Sequence, residues 1–133
     1  MRIIIAGSRE MTDYEKLKNE WAAYKKRHGL PKAITIITGG AAGADKLAER
    51  LAREEGHGLI VMQADWQTHG KKAGPMRNAA MAKEAGPEGR LLAYWDGESP
   101  GTANMIGQAK HHGLKVEIVT LDADEEAWEQ CRL

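Results

Sequence analysis

Four short segments of the sequence combine small residues with polar or charged side chains. They are GSRE at 7–10, TGGAAGAD at 38–45, WQTHGKKAGPMRN at 66–78 and WDGESPGT at 95–102. Glycine lets a ligand approach the backbone, and the free N–H groups at the start of a helix attract anions. The chemistry that these segments could support is therefore the binding of a phosphate-bearing ligand by several loops.

The first segment offers an anion site at the exit of a strand. Gly7 permits a tight turn, and Ser8 with the following N–H groups could donate to an anion at the start of the next helix. Arg9 adds a positive charge. The alternative is an ordinary strand-to-helix turn with a solvated arginine.

The second segment consists mostly of glycine and alanine. Gly39 and Gly40, followed by Ala41, would let a ligand lie against the backbone, and Gly43 would let the next helix pack close to its strand. The segment differs from the dinucleotide fingerprint GxGxxG, because Thr38 replaces the first glycine and the motif follows the second strand. It therefore does not favour nicotinamide chemistry, and we predict no cofactor.

Asp45 falls in the first turn of the helix that follows these glycines. An acid there is stabilised by the helix dipole and can accept from free N–H groups, which would be a structural role. If Asp45 contacts the ligand, a ribose hydroxyl is the better partner, because a carboxylate repels phosphate.

The third segment carries a cation where a helix disfavours one. Arg77 lies in the first turn of a predicted helix and opposes its dipole unless an anion is near, so we predict that Arg77 and its neighbour Asn78 contact the ligand. A solvated Arg77 is the alternative.

Two other residues of the third segment have open roles. Trp66 is either a core residue or a surface on which a base stacks. His69 has no second histidine at ligand spacing, so we interpret it as a loop hydrogen-bonder and predict no metal site.

The fourth segment places Asp96 at a strand end, before a loop that contains Ser99 and opens a helix at Gly101 and Thr102. Thr102 could be a simple N-cap. Together, Ser99, Gly101 and Thr102 would also make a phosphate cradle.

Five short apolar runs are the elements that must position these loops: RIIIA at 2–6, AITIIT at 33–38, GLIVM at 58–62, RLLAYW at 90–95 and KVEIV at 115–119. The first three are almost continuously apolar, which is typical of parallel strands buried on both faces. Helical spacing between the runs predicts helices over 14–24, 44–52, from about Pro75 to Ala85, and from Thr102 to His112, with a short acidic helix in the tail at 121–133.

This alternation predicts an α/β fold: one Rossmann-like three-layer domain over 1–133, with a core at 2–120 and a mainly parallel five-stranded sheet. With the strand order 3-2-1-4-5, the winding reverses between strands 1 and 4. Ligands bind at such a switch point, beyond the carboxyl ends of the strands. The four segments should therefore converge there.

Composition limits the partners of the chain. Its 133 residues carry 19 basic and 19 acidic side chains, so a general electrostatic attraction for nucleic acid is missing. No apolar stretch approaches the length that spans a bilayer, and the single cysteine, Cys131, excludes an internal disulfide or a CxxC pair. We expect a cytoplasmic protein that binds no membrane.

The four motifs, in this order over residues 2–120, resemble the YspA-related branch of the SLOG superfamily, whose Rossmann-like members are akin to the LOG phosphoribohydrolases and to the DNA-processing protein DprA. The resemblance implies a nucleotide or nucleotide-derived ligand whose phosphate is held by the glycine-rich loops. It also suggests a homodimer.

The resemblance is incomplete at the catalytic position of the LOG enzymes. Their GGxGTxxE loop supplies a glutamate that cleaves an N-glycosidic bond, whereas Gly101-Thr102 is followed here by Ala103, Asn104 and Met105. Arg77 lies in a segment similar to their arginine-bearing helix. Asp96 and Glu98 are nearby carboxylates that could substitute for the glutamate, so the catalytic candidates are Arg77, Asp96 and Glu98.

The favoured hypothesis is a binding or sensing domain for a nucleoside monophosphate or an ADP-ribose-type ligand. The alternative is a phosphoribohydrolase-like enzyme that hydrolyses the N-glycosidic bond of a nucleotide. A DprA-like binder of single strands is less favoured, because no aromatic stripe accompanies the basic residues.

Overall fold

The computed structural model describes residues 1–121, in which short strands alternate with helices. The strands are β1 Arg2–Gly7, β2 Thr35–Thr38, β3 Gly58–Val61, β4 Arg90–Trp95 and β5 Lys115–Thr120. The helices are α1 Tyr14–His28, α2 Ala44–Glu55, a short α3 Trp66–His69, α4 Ala73–Ala85 and α5 Pro100–His111. A 3₁₀ turn at Gly70–Lys72 joins α3 to α4.

The strands form one parallel sheet in the order β3-β2-β1-β4-β5. This confirms the predicted fold class and strand order. In the centre of the sheet, Ile4 of β1 pairs with Ile37 on one side and with Leu91 on the other. The chain winds away from β1 in both directions, so the switch point lies between β1 and β4.

Alternation along the strands builds the two outer layers. Successive side chains of a strand point to opposite faces, so Ile3 and Ile5 pack with Leu17 and Trp21 of α1 and with Leu51 of α2. Ile4 and Ala6 face the other way and pack with α4 and α5 residues such as Met81 and Ile106. This explains why the isoleucine run of β1 is apolar throughout.

The predicted elements differ from the observed ones mainly at their ends. The run at 33–38 becomes a strand only from Thr35, and the predicted helix near Pro75 begins earlier, at Ala73. Helix α3 was not predicted, although Asp65 caps it by accepting from the Thr68 N–H at 3.1 Å. Helix α5 begins at Pro100, because proline loses no helical hydrogen bond at the first position.

The tail helix predicted at 121–133, which includes Cys131, lies outside the described residues except for Leu121. Within residues 1–121, no helix is both long and apolar enough to cross a membrane.

Candidate functional site

A cleft of about 520 Å³ lies beyond the carboxyl ends of β1 and β4, at the switch point. Residues from all four glycine-containing segments line it. The predicted site residues among them are Gly7, Ser8, Arg9, Ala41, Asp45, Trp66, Arg77, Asn78, Ser99, Gly101 and Thr102. The structure therefore brings most of the predicted site into one place.

Arg77 is the central cation of the cleft. Its Nη1 donates to the carbonyl oxygen of Gly39 at 2.7 Å, and its Nε donates to Oδ1 of Asn78 at 2.9 Å. Burial and the neighbouring charge of Arg9 lower the pKa of Arg77, whereas Asp45 raises it. The guanidinium has five N–H groups, so those not used by Gly39 and Asn78 remain for an anion. The alternative of a freely solvated Arg77 is wrong, because the side chain is half-buried and held at two points.

Asn78 is buried, and its amide is used within the protein. Besides accepting from Arg77, it donates from Nδ2 to the Gly101 carbonyl at 3.3 Å and to Oδ1 of Asn104 at 3.1 Å. Asn78 therefore positions Arg77 against the start of α5. Both N–H groups of its amide donate within the protein, so neither is left to donate to a phosphate.

Asp45 is a buried carboxylate on the cleft wall. Its Oδ2 accepts from the Ala41 N–H at 3.2 Å, which ties the glycine segment to the start of α2. Desolvation raises the pKa of Asp45 to about 6, against the lowering effects of the Ala41 and Gly39 N–H groups and of Arg77. Asp45 has a structural hydrogen bond, but it comes from the loop before α2 and not from the helix N-terminus. Burial disfavours the charge that the predicted helix-dipole role would have favoured.

The bare glycines of the second segment do not line the cleft. Gly40 has φ of +70°, and a Cβ on it would lie 3.0 Å from Val61 and from Gln63. Gly43 has φ of +77°, and a Cβ on it would clash with the backbone of Ser8 and Arg9. These two glycines serve the turn from β2 to α2 and its packing on the first segment, rather than the approach of a ligand. Gly39 contributes through its carbonyl, which holds Arg77.

The first segment does not form an anion site at a helix start. Helix α1 begins only at Tyr14, and its N-terminus is capped by Asp13, which accepts from the Lys16 N–H at 3.0 Å. The Ser8 N–H is bonded to the Tyr94 carbonyl at 2.9 Å, and the Ser8 hydroxyl oxygen accepts from the Glu10 N–H at 3.2 Å. What this segment presents to the cleft is Gly7, the buried Ser8, and the two oppositely charged residues Arg9 and Glu10.

The carboxylates after β4 lie outside the cleft lining. Oδ1 of Asp96 accepts from the N–H groups of Glu98 and Ser99 at 2.9 and 2.8 Å, and its Oδ2 accepts from the Ser99 hydroxyl at 2.9 Å. The Ser99 and Glu98 hydrogen bonds hold the pKa of Asp96 below its usual range. Asp96 therefore shapes the loop as an ionised acceptor, and the structure does not place it or Glu98 where a general acid would be needed.

Trp66 lies at the rim of the cleft and is 50% exposed, so the alternative of a core residue is wrong. Its ring packs over Gly74, where an added Cβ would lie 3.1 Å from Cη2. Deeper in, Met81 and Met105 supply an apolar floor. Met105 occupies the place at which the LOG motif carries glutamate, so the floor lacks a carboxylate there.

Some lining residues were not predicted: Ala6, Glu10, Gly74, Pro75, Met81, Pro100, Asn104 and Met105. A sequence signal existed for two of them, since Met81 and Met105 follow Arg77 and Gly101 at the i+4 spacing that shares a helix face. Nothing in the sequence around Asn104 identified it as a residue of the site. Within residues 1–121, no group of three or more histidine, cysteine or acidic side chains could hold a metal ion.

This fold and this cleft define a Rossmann-like α/β domain with a candidate ligand site at its switch point. The chain belongs to the YspA, cpYpsA-related SLOG family, YAcAr, whose model matches residues 1–69. The family resemblance seen in the motifs is thereby confirmed. The matched range includes the first two segments and ends before Arg77.

A similar curated protein and a similar solved structure extend the comparison. The Gene 61 protein of Mycobacterium phage D29 is 37% identical over 121 residues, covering 86% of this chain and 93% of that protein. The X-ray structure of TM1055, a Northeast Structural Genomics Consortium target, superposes with a TM-score of 0.60 at 18% identity, covering 86% of this chain and 71% of that one. The second similarity supports the fold.

Proposed function

We propose that the chain binds a nucleotide-derived ligand, a nucleoside monophosphate or an ADP-ribose-type molecule, in the cleft at the switch point, in a binding or sensing role. The observation that carries this proposal is Arg77, a half-buried guanidinium that faces the cleft with unused N–H groups. A charge that is partly removed from water favours an anion there, and phosphate matches the planar fork of arginine.

The start of α5 supports a phosphate beside Arg77. The Ala103 N–H bonds to the Ser99 carbonyl at 3.1 Å, so the preceding N–H groups of Gly101 and Thr102 lie before the first helical hydrogen bond. Both residues line the cleft, and Asn78 links the Gly101 carbonyl to Arg77. A phosphate in this corner would receive hydrogen bonds from a helix N-terminus and from a guanidinium together.

The rim of the cleft supports a base. The exposed indole of Trp66 offers a flat apolar surface, and stacking of a base on such a ring contributes about 1–3 kcal/mol. The glycine segment contributes less than the resemblance implied, since Asp45 already accepts from the Ala41 N–H. In the proposed complex, the ligand therefore lies with its phosphate at Arg77 and its base at Trp66.

A thermal-shift panel tests the proposal. AMP, ADP-ribose or a related nucleotide should raise the melting temperature, and the rise should grow with the logarithm of ligand concentration above the dissociation constant, because a ligand that binds the native state alone stabilises it by mass action. Native mass spectrometry of the purified protein would identify a nucleotide that co-purifies. Unchanged melting at millimolar concentrations of every nucleotide would contradict the proposal.

A second function, hydrolysis of an N-glycosidic bond, is favoured by one observation: the cleft holds a carboxyl group, Asp45, whose pKa of about 6 suits proton transfer near neutral pH. Against it stands Met105 on the cleft floor. We expect release of free base from AMP to be slow or absent, as measured by chromatography of incubated nucleotide. Robust release by the wild type that disappears in Asp45→Asn, but persists in Asp96→Asn, would make hydrolysis the function and Asp45 its acid or base.

A further inference from the structure

The side-chain amide of Asn78 has an orientation that chemistry alone determines. One end faces Nε of Arg77, which can only donate, and the other faces the carbonyl oxygen of Gly101, which can only accept. Oδ1 must therefore point to Arg77 and Nδ2 to Gly101. An exchange of the two atoms would leave both contacts repulsive.

This fixed amide determines the orientation of a second one. Nδ2 of Asn78 also lies 3.1 Å from the side chain of Asn104, so Asn104 must present its oxygen there. Nδ2 of Asn104 then lies on the opposite side of the same planar group. Among the residues that the structure describes, it has no hydrogen-bond partner, and Asn104 is a half-buried residue of the cleft lining.

We propose that Asn104 is a specificity-determining residue, which donates from Nδ2 to an acceptor oxygen of the ligand in the cleft. This inference rests on the proposed function. An amide held in this orientation selects an acceptor over a donor without adding charge, whereas Arg77 adds a positive charge to its N–H donors. The acceptor is either a phosphate oxygen or a carbonyl oxygen of the base, and the chemistry of recognition is the same for both.

Calorimetry with ribose 5-phosphate, inosine monophosphate and adenosine monophosphate tests the inference and separates the two sources. Asn104→Ala should weaken binding about 3- to 10-fold, the effect of one neutral hydrogen bond. If the acceptor is a phosphate oxygen, all the probes lose affinity to the same degree. If it is the base carbonyl, inosine monophosphate alone loses affinity.

Asn104→Asp separates donation from mere support of Asn78. An aspartate still accepts from Nδ2 of Asn78, but it replaces the proposed donor with an acceptor, so affinity should fall further than in the alanine variant. Gln108→Glu is the matched control, because it places the same charge one turn later on α5 at a residue outside the cleft lining. An equal loss in that control would overturn the assignment.

Failure of the role of Asn104 and failure of the proposed function give different results. If the wild type binds the probes and Asn104→Ala binds them equally well, the role of Asn104 is overturned and the proposed function stands. If the wild type binds none of the probes, the proposed function fails and the inference fails with it.

Discussion

Arg77→Ala is expected to weaken binding of a phosphate-bearing nucleotide by about 1.5–3 kcal/mol, or about 10- to 150-fold in the dissociation constant, which is the range for hydrogen bonds to a charged group. The guanidinium is held in the cleft by the Gly39 carbonyl and by Asn78, so its remaining N–H groups have a defined direction. Titration calorimetry measures the loss. Folding stability should also fall modestly, because the Gly39 carbonyl loses its donor.

Two further variants test whether the loss of affinity comes from the guanidinium of Arg77. Arg77→Lys keeps a positive charge but cannot reach Gly39 and Asn78 as a planar fork does, so its affinity should lie between those of the wild type and the alanine variant. Arg53→Ala removes an exposed arginine of α2 that lies outside the cleft lining and should leave affinity unchanged. Wild-type affinity in Arg77→Ala would show that the ligand, if any, binds elsewhere.

Asp45→Asn is expected to stabilise the folded protein at pH 8. The carboxyl has a pKa of about 6 in the fold against an ordinary value of 3.8, and this difference corresponds to about 3 kcal/mol at about 1.4 kcal/mol per pH unit. Asparagine has the same shape and can still accept from the Ala41 N–H, but it carries no charge to desolvate. Urea denaturation measures the free energy of unfolding.

The sign of the pH dependence follows from which state holds the proton more tightly. The raised pKa means that the folded state binds the Asp45 proton better, so the wild type loses stability as the pH rises from about 4 to about 6. The advantage of Asp45→Asn should therefore grow over this window and stay constant above it. An advantage that is the same at pH 4 and pH 8 would show that Asp45 ionises freely in the fold.

Asp65→Asn provides a control of opposite sign. Asp65 accepts from the Thr68 backbone N–H at the start of α3, and its hydrogen bonding to Thr68 lowers its pKa. Its ionised form is the one that the fold favours, so the asparagine variant should not become more stable at high pH. If Asp45→Asn alone gains stability, the wild type retains an unfavourable charge at that position, which is typical of a residue kept for function.

The strands were predictable because burial on both faces leaves a plain mark in the sequence, as in β1. The same interpretation was wrong for the run at 58–62, because β3 is an edge strand with Val61 exposed, and the strand order followed from the fold class and not from burial. The run Ile3–Ile5 alternates between the two helical layers, and no exposed position interrupts it. The convergence of the four segments followed from the same reasoning, since the carboxyl ends of parallel strands share one edge of the sheet. Arg77 was found from the expectation that a helix begins at Pro75 and disfavours a cation in its first turn. Helix α4 begins at Ala73 instead, so Arg77 lies one turn into the helix, and the contacts with Gly39 and Asn78 explain its position.

The directions of individual groups were not predictable, because they depend on contacts between elements that are distant in the chain. Gly40 looks like a surface for a ligand, yet the side of it that a Cβ would occupy faces Val61 and Gln63. Asp96 looks like a candidate acid, yet its oxygens are used by the following turn. The role proposed for Asn104 depends on its hydrogen bond with Asn78, which lies on another helix.

The two hydrogen bonds that hold Arg77 also affect the thermodynamics of recognition. A long, flexible side chain loses about 2 kcal/mol of rotamer entropy when it is fixed in one conformation. Because Gly39 and Asn78 hold the guanidinium before any ligand arrives, this loss belongs to folding and not to association. For the anionic ligand that we propose, Arg77 is therefore preorganised, and a small ligand that offers few contacts would keep most of the free energy that those contacts supply.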